Sequence, residues 1–325
     1  HVYLNIPVTS RQIVGIYNTA YGLKLNNCDI EIVSENQSNL VGVFNNGNLD
    51  THMETRADNL VITNGCIKVQ IVQSGMKDSV VYGVYNNLAN SISIQNTFVY
   101  STNIGIGKKQ TAIGVFTNGR FGRFIGCNIK ANGSHNTGNL KEQAYAYGFV
   151  NEGLYNLIES NNIIGEWGGQ CVGLENKGDF TKVNGNKILA THTIKGRSVR
   201  NYANDSIFDG NILTSTSRNP RLFEQEGSNC IIANNMMEGL QLPQTYQSSV
   251  GLYAAAEKAT ENLIAQNIIK NVCDCGIFAH KNIGLVQNNI ITTYAESYGF
   301  IKLATTENSA IANKLDENRI HSILD

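Results

Sequence analysis

Short apolar stretches broken by Gly and Asn recur in one order along the whole 325-residue chain. From Val172 onward that order appears three times, as VGLENKGDFTKVNGNKIL, RSVRNYANDSIFDGNILT and RLFEQEGSNCIIANNMM, restarting after 25 and then 24 residues. Each copy reads as a short strand, a turn carrying Gly or Asn, and a second strand that runs into another Asn beside aliphatic residues. A single copy has nothing to bury its apolar side against, whereas stacked copies do, so the period predicts a solenoid.

The same rung recurs as VGIYN, VGVFNN, YGVYNN, IGVFTN, YGFVNE, VGLENK, RSVRNY, RLFEQE, VGLYAA, CGIFAH and YGFIKL. Their second residues, Gly15, Gly42, Gly83, Gly114, Gly148, Gly173, Ser198, Leu222, Gly251, Gly276 and Gly299, mark eleven coils that fill the chain. From Gly148 on, the marks lie 23 to 29 residues apart, as a three-sided parallel coil requires, whereas earlier spacings reach 41. The surplus is predicted to leave as surface loops at Asn46–Asn59, Ser101–Ala112, Ala131–Ala146 and Gly239–Ser249. No linker divides the array, so residues 1–325 read as one domain, and the strand-like opening HVYLNIPV reads as a cut from a longer chain.

Alternation assigns the faces of the marked strand. The residue after each mark is Ile16, Val43, Val84, Val115, Phe149, Leu174, Val199, Phe223, Leu252, Ile277 or Phe300, an unbroken apolar column that must face the core. Two residues on, Asn18, Asn45, Asn86, Asn151, Asn176 and Asn201 repeat, with Thr117 and Gln225 standing in, and this column is predicted to ladder inward. A further Asn near the end of each second strand is placed to satisfy buried backbone groups in the same way. The intervening residues then point outward: Tyr17, Phe44, Tyr85, Phe116, Val150, Glu175, Arg200, Glu224, Tyr253, Phe278 and Ile301, flanked by Asn46, Asn87, Asn118, Glu152, Lys177, Tyr202, Glu226, Ala255, His280 and Leu303.

Composition agrees with many short strands and tight turns: 44 Asn and 31 Gly stand against 3 Pro and 1 Trp. A formal net charge of −1 and a pI near 6.7 leave no basic stripe, which argues against nucleic acid as a partner. No apolar run reaches the length of a membrane span and no leader pattern opens the chain, so no membrane insertion is expected. Seven scattered cysteines, mostly at apolar strand positions, read as free buried thiols and fit folding in a reducing cytoplasm. Cys273 and Cys275 lack zinc-ligand spacing and no calcium-loop spacing is present, so neither metal nor cofactor is expected.

The Gly-apolar-x-Asn rungs with Asn-x-Ile second strands resemble the pectate lyase-like superfamily over nearly the whole chain. The resemblance implies an all-β fold, a right-handed single-stranded parallel β-helix of about eleven coils. No catalytic motif of pectate lyases, polygalacturonases or alginate epimerases is matched residue by residue. Within the superfamily, an Asn-rich, Pro-poor array with free cysteines and no leader is most similar to bacteriophage tailspike and tail-appendage domains. That likeness implies a homotrimer on a virion tail, or otherwise an extracellular protein, that binds bacterial surface polysaccharide and often depolymerises it.

Candidate chemistry falls in the outward columns. At about 4.8 Å per coil, Glu175 and Glu224 would lie roughly 10 Å apart with Arg200 between them, and Glu224 and Glu226 about 6.5 Å apart on one strand. Inverting glycosidases hold two carboxyls about 6.5–9.5 Å apart. A hydrolase would use Glu224 or Glu226 as general acid, its pKa raised by the neighbouring carboxylate. Glu175 or the other carboxylate would activate water, with Arg200 and Lys177 keeping the partner ionised. Tyr85, Phe116, Tyr253 and Phe278 would offer ring faces to sugars, and Tyr202 and His280 hydrogen bonds. Two other readings stand beside it. In a lyase, Arg200 or Lys177 would neutralise an acidic sugar while Lys177, Tyr202 or His280 removed a proton. In a non-catalytic receptor-binding or structural shaft, the outward columns would contact ligand or sister chains. The bland structural alternative is that Glu175, Arg200 and Glu224 form a solvated ion triad and the rings lie under loops or between subunits.

Overall fold

A computed structural model describes residues 2–6, 12–35, 39–47, 57–72, 78–104, 109–133, 143–217, 219–239, 249–254, 256–279, 283–294, 298–302, 314–316 and 319–323. Among these the chain forms strands joined by turns, with no helix, and the strands pair in parallel with their counterparts in adjacent coils. Each coil lays one strand on each of three faces, and the stack is right-handed. The first face carries the marked rungs, from Gln12–Asn18 to Tyr298–Lys302. The second face holds eleven strands of three or four residues, such as Lys182–Asn184. The third, exemplified by Cys66–Ile71, follows the second-strand Asn. In two coils the third and first faces are one continuous strand, Asn162–Asn176 and Lys187–Asn201, which joins both faces into a 21-stranded sheet.

The expected excursions are shorter than the spacing suggested. Phe98–Asn103 and Lys109–Thr117 are strands, as are Asn128–Asn132 and Gln143–Asn151, so the third and first faces together absorb much of the length. Residues 48–56, 105–108, 134–142 and 240–248, the remainder of the expected loops, lie outside the described residues.

All three faces feed one core. The column Val43, Val84, Val115, Phe149, Leu174, Val199, Phe223, Leu252 and Ile277 is buried, as alternation requires. It meets Phe124, Ile158, Val183 and Phe208 from the second face and Ile129, Ile163 and Ile188 from the third. Edge-on ring contacts lock neighbouring coils, Phe124 to Phe149 at 4.7 Å and Phe208 to Phe223 at 4.9 Å. Each such buried side chain stabilises the fold by about 1.5–3 kcal/mol relative to exposure. Cys127, Cys171, Cys230 and Cys275 are buried.

Two inward amide ladders satisfy the polar groups that this core would otherwise strand. Along the first face Asn18 Nδ2 donates to Asn45 Oδ1 and Asn45 to Asn86, each at 2.7 Å. Asn86 donates to Thr117 Oγ1 at 3.0 Å. Asn151 donates to Asn176, Asn176 to Asn201 and Asn201 to Gln225 at 2.7–3.0 Å. At the turn between second and third faces, Asn161, Asn186, Asn211, Asn235, Asn267 and Asn289 form the other ladder, with Nδ2 to Oδ1 distances of 2.9–3.0 Å. The residue before each of these asparagines sits at left-handed φ, as at Ser160, Gly185, Gly210, Asn234, Gln266 and Asn288 (φ 54–62°), which suits the Gly and Asn found there.

The marked glycines have a different cause. At Gly148 a Cβ would lie 2.6 Å from Ile163 Cγ2 and 2.6 Å from the carbonyl oxygen of Gly173 in the next coil. The mark lies within a first-face strand, here Gln143–Asn151, and the packing leaves no room for a side chain. Simple alternation resets at the mark: along Ser79–Asn87 both Gly83 and Val84 are buried, so Tyr82, which the pattern would send inward with Val84, is half-buried and faces Tyr85 across an outer crease, ring centroids 4.8 Å apart.

Candidate functional site

The outer surface of the first face carries two registered stripes beside this crease. Tyr17, Phe44, Tyr85 and Phe116 stack from coil to coil at 4.9–5.2 Å. Alongside run outward amides: Asn46 Nδ2 donates to the Tyr17 hydroxyl (2.8 Å), Asn87 to Asn46 Oδ1 (2.9 Å) and Asn118 to Asn87 Oδ1 (3.3 Å). Tyr82 adds a ring across the crease, and burial, then Tyr85 and Glu152, push its hydroxyl up to about 12. At the other end Tyr253 and Phe278 stack at 5.3 Å with planes 8° apart. Tyr85, Phe116, Tyr253 and Phe278 are all half-buried, so each keeps an accessible edge or face. His280 lies outside the described residues.

Between the two aromatic stretches the stripe turns ionic. Arg200 brings Glu175, Glu224 and Glu226 to one guanidinium: Nη1 is 3.9 Å from Glu175, Nε 3.5 Å from Glu224 and Nη2 3.6 Å from Glu226. Its Cζ lies 4.5 Å from the centre of the Tyr202 ring. Glu224 is further clamped by Arg197 Nε at 2.5 Å and by Arg221 Nη1, three residues before it. Arg221 rests on the Tyr253 ring at 3.6 Å. Lys177 joins Glu175 and Glu152, each at 2.9 Å, and Lys258 approaches Glu226 at 3.8 Å.

This environment bears on the roles expected of these side chains. The outward column is not solvated at its centre: Glu175 and Glu224 are only 6% and 4% exposed, with Lys177 and Arg200 against Glu175 and Arg197, Arg221 and Arg200 against Glu224. Nor does Glu224 suit a general acid. Burial pushes its carboxyl up, but Arg197, Arg221 and Arg200 together hold it below the ordinary carboxylate range, so it is an ionised anchor. Glu175, Arg200 and Glu224 do form the charge-alternating triad, in a buried rather than a solvated form. Lys177, which burial alone would lower, is held well above its usual value by Glu175 and Glu152 and stays charged, unfit as a proton-abstracting base near neutrality. Burial also raises the Tyr202 hydroxyl, which therefore remains a neutral hydrogen-bond donor.

Arg197, Arg221 and Tyr82 were not legible as site members. They precede the mark by one residue, where alternation points inward. The signal that could have found them is the column Tyr82, Ile113, Tyr147, Val172, Arg197, Arg221, Val250, since two arginines cannot sit unpaired in an apolar core. Among the described residues no cluster of His, Cys, Asp and Glu has metal-holding geometry.

One strand per face per coil and three faces around one core define the class: this is a right-handed single-stranded parallel β-helix. The solved Dettilon tailspike protein is similar to it across 97% of this chain and 60% of its own length, with a TM-score of 0.54 and 14% sequence identity. The chain thus spans about 60% of that tailspike. No family model matches the sequence, and no curated protein does. At this identity the likeness carries the fold.

Proposed function

We propose that the first face is a glycan-binding surface of a phage tail β-helix, taking a bacterial surface polysaccharide along the crease. The observation that carries this reading is the registered pairing of outward rings with outward amides at coil spacing, running into the Arg200 cluster. Rings supply flat apolar contact, and amides and guanidinium supply donors, which is the chemistry a pyranose chain needs. A tailspike as structural neighbour supports a tail location, and the sequence resemblance supports bacterial surface polysaccharide as the ligand and a homotrimer as the assembly.

Depolymerisation is the second reading, favoured by the convergence of three carboxylates on Arg200. Glu226, partly exposed at the rim, is the remaining candidate acid, while Glu224 serves the fold. The test is to incubate wild type and Glu226→Gln with surface polysaccharides purified from a panel of bacteria, following both binding and polymer size. Binding by both, with shortening by wild type alone, supports hydrolysis at this site. Binding without shortening leaves a receptor-binding role, and no binding to any member overturns the proposal.

A further inference from the structure

We infer that the polysaccharide is acidic and that Arg200 receives its carboxylate; this rests on the glycan-binding reading above. Among the described residues the ion pairs link nine charged side chains into one network. Glu152, Glu175, Glu224 and Glu226 contribute four negative charges, and Lys177, Arg197, Arg200, Arg221 and Lys258 five positive ones. The network thus carries one positive charge beyond its internal neutralisation.

The geometry assigns that surplus to Arg200. Arg197 and Arg221 spend their closest donors on Glu224 in tight contacts, and Lys177 bridges two carboxylates at 2.9 Å. Of the cations gathered on Glu175 and Glu224, Arg200 is the one with only loose contacts, 3.5, 3.6 and 3.9 Å. Its Nε is buried yet has no hydrogen-bond partner, the Glu224 oxygen at 3.5 Å lying out of line for one. The guanidinium is therefore under-used as a donor, and a ligand carboxylate accepting from its accessible N–H groups would form a charge-assisted pair that the protein's own carboxylates do not complete. The side chain remains 28% exposed and lies against Tyr202, so part of it stays accessible from outside. The aromatic stretches on either side, Tyr85–Phe116 and Tyr253–Phe278, would carry the neutral sugars flanking an acidic one.

The experiment compares the same polysaccharide panel, sorted into uronate- or sialate-bearing and neutral polymers, before and after chemical reduction of the carboxyl groups. Wild type is expected to bind acidic members and to lose about tenfold to a hundredfold in affinity when their carboxylates are reduced, the loss of one charge-assisted pair. Arg200→Gln is expected to show the same loss on the native polymer and little further loss on the reduced one. The ligand reduction needs no variant, so a folding defect in Arg200→Gln leaves the test intact. Equal binding to native and reduced polymer, or preference for neutral members, overturns the acidic inference and spares the glycan reading. Absence of binding to every member overturns both.

Discussion

The sharpest test of the fold's energetics lies in two adjacent asparagines. Asn161 is 2% exposed; its Nδ2 donates to Phe124 O (2.9 Å) and Asn186 Oδ1 (3.0 Å), and its Oδ1 accepts from the Cys127 backbone N–H (2.8 Å). Asn162, the next residue, points outward and makes one side-chain bond, to Asn128 Oδ1 at 3.2 Å. Replacing Asn161 by Ala leaves the Cys127 N–H without its acceptor, at about 1–3 kcal/mol, and removes two further buried bonds worth about 0.5–1.5 kcal/mol each. The expected loss is about 4 kcal/mol, against about 0.5 kcal/mol or less for Asn162→Ala. Guanidinium denaturation followed by far-ultraviolet circular dichroism reads the difference. With an m-value on the order of 5 kcal/mol/M, the Asn161→Ala midpoint falls by roughly 0.5–1 M and the Asn162→Ala midpoint barely moves. Equal shifts for the two variants would refute the claim that the inward ladder, rather than apolar burial alone, holds successive coils in register.

Other outcomes follow from the same geometry. Gly148→Ala forces a methyl into the Ile163 side chain and the Gly173 carbonyl and is expected to cost about 1–3 kcal/mol in the same denaturation assay. Glu224→Gln leaves Arg197, Arg200 and Arg221 without their shared anion and is expected to destabilise by about 3–5 kcal/mol, read as a lowered melting temperature. Glu224 also sets a pH dependence: its folded pKa is depressed, so its contribution is complete above the ordinary carboxylate range and is lost as pH falls through the lower folded value. Stability of wild type should therefore decline with acidification more steeply than that of Glu224→Gln.

The coil count, the core column and both amide ladders were legible in the sequence because each repeats one residue type at one position, and stacked identical environments demand it. Val43, Val84, Val115 and their successors need nothing beyond alternation. The site was legible only in part. Glu175, Arg200, Glu224 and Glu226 fall in the outward columns and do converge, but Glu224 is held by Arg197 and Arg221, which stand immediately before the marks Ser198 and Leu222. Period-two alternation carries no information about a reset of the pattern within a strand, and the third face was hidden for a related reason. Its strands, such as Ile212–Ser215, follow the left-handed residue and the ladder Asn without a composition change that would separate them from the second.

The central claim, that the outer first face holds a glycan, is tested most directly by equilibrium binding of the panel polysaccharides to wild type and to a Tyr85→Ser, Phe116→Ser double variant. Both rings are half-buried on the outer surface, and neither belongs to the core cluster, so the coil stack should survive. The account predicts at least tenfold weaker binding by a variant whose circular dichroism matches wild type. Undiminished binding by that folded variant would contradict it.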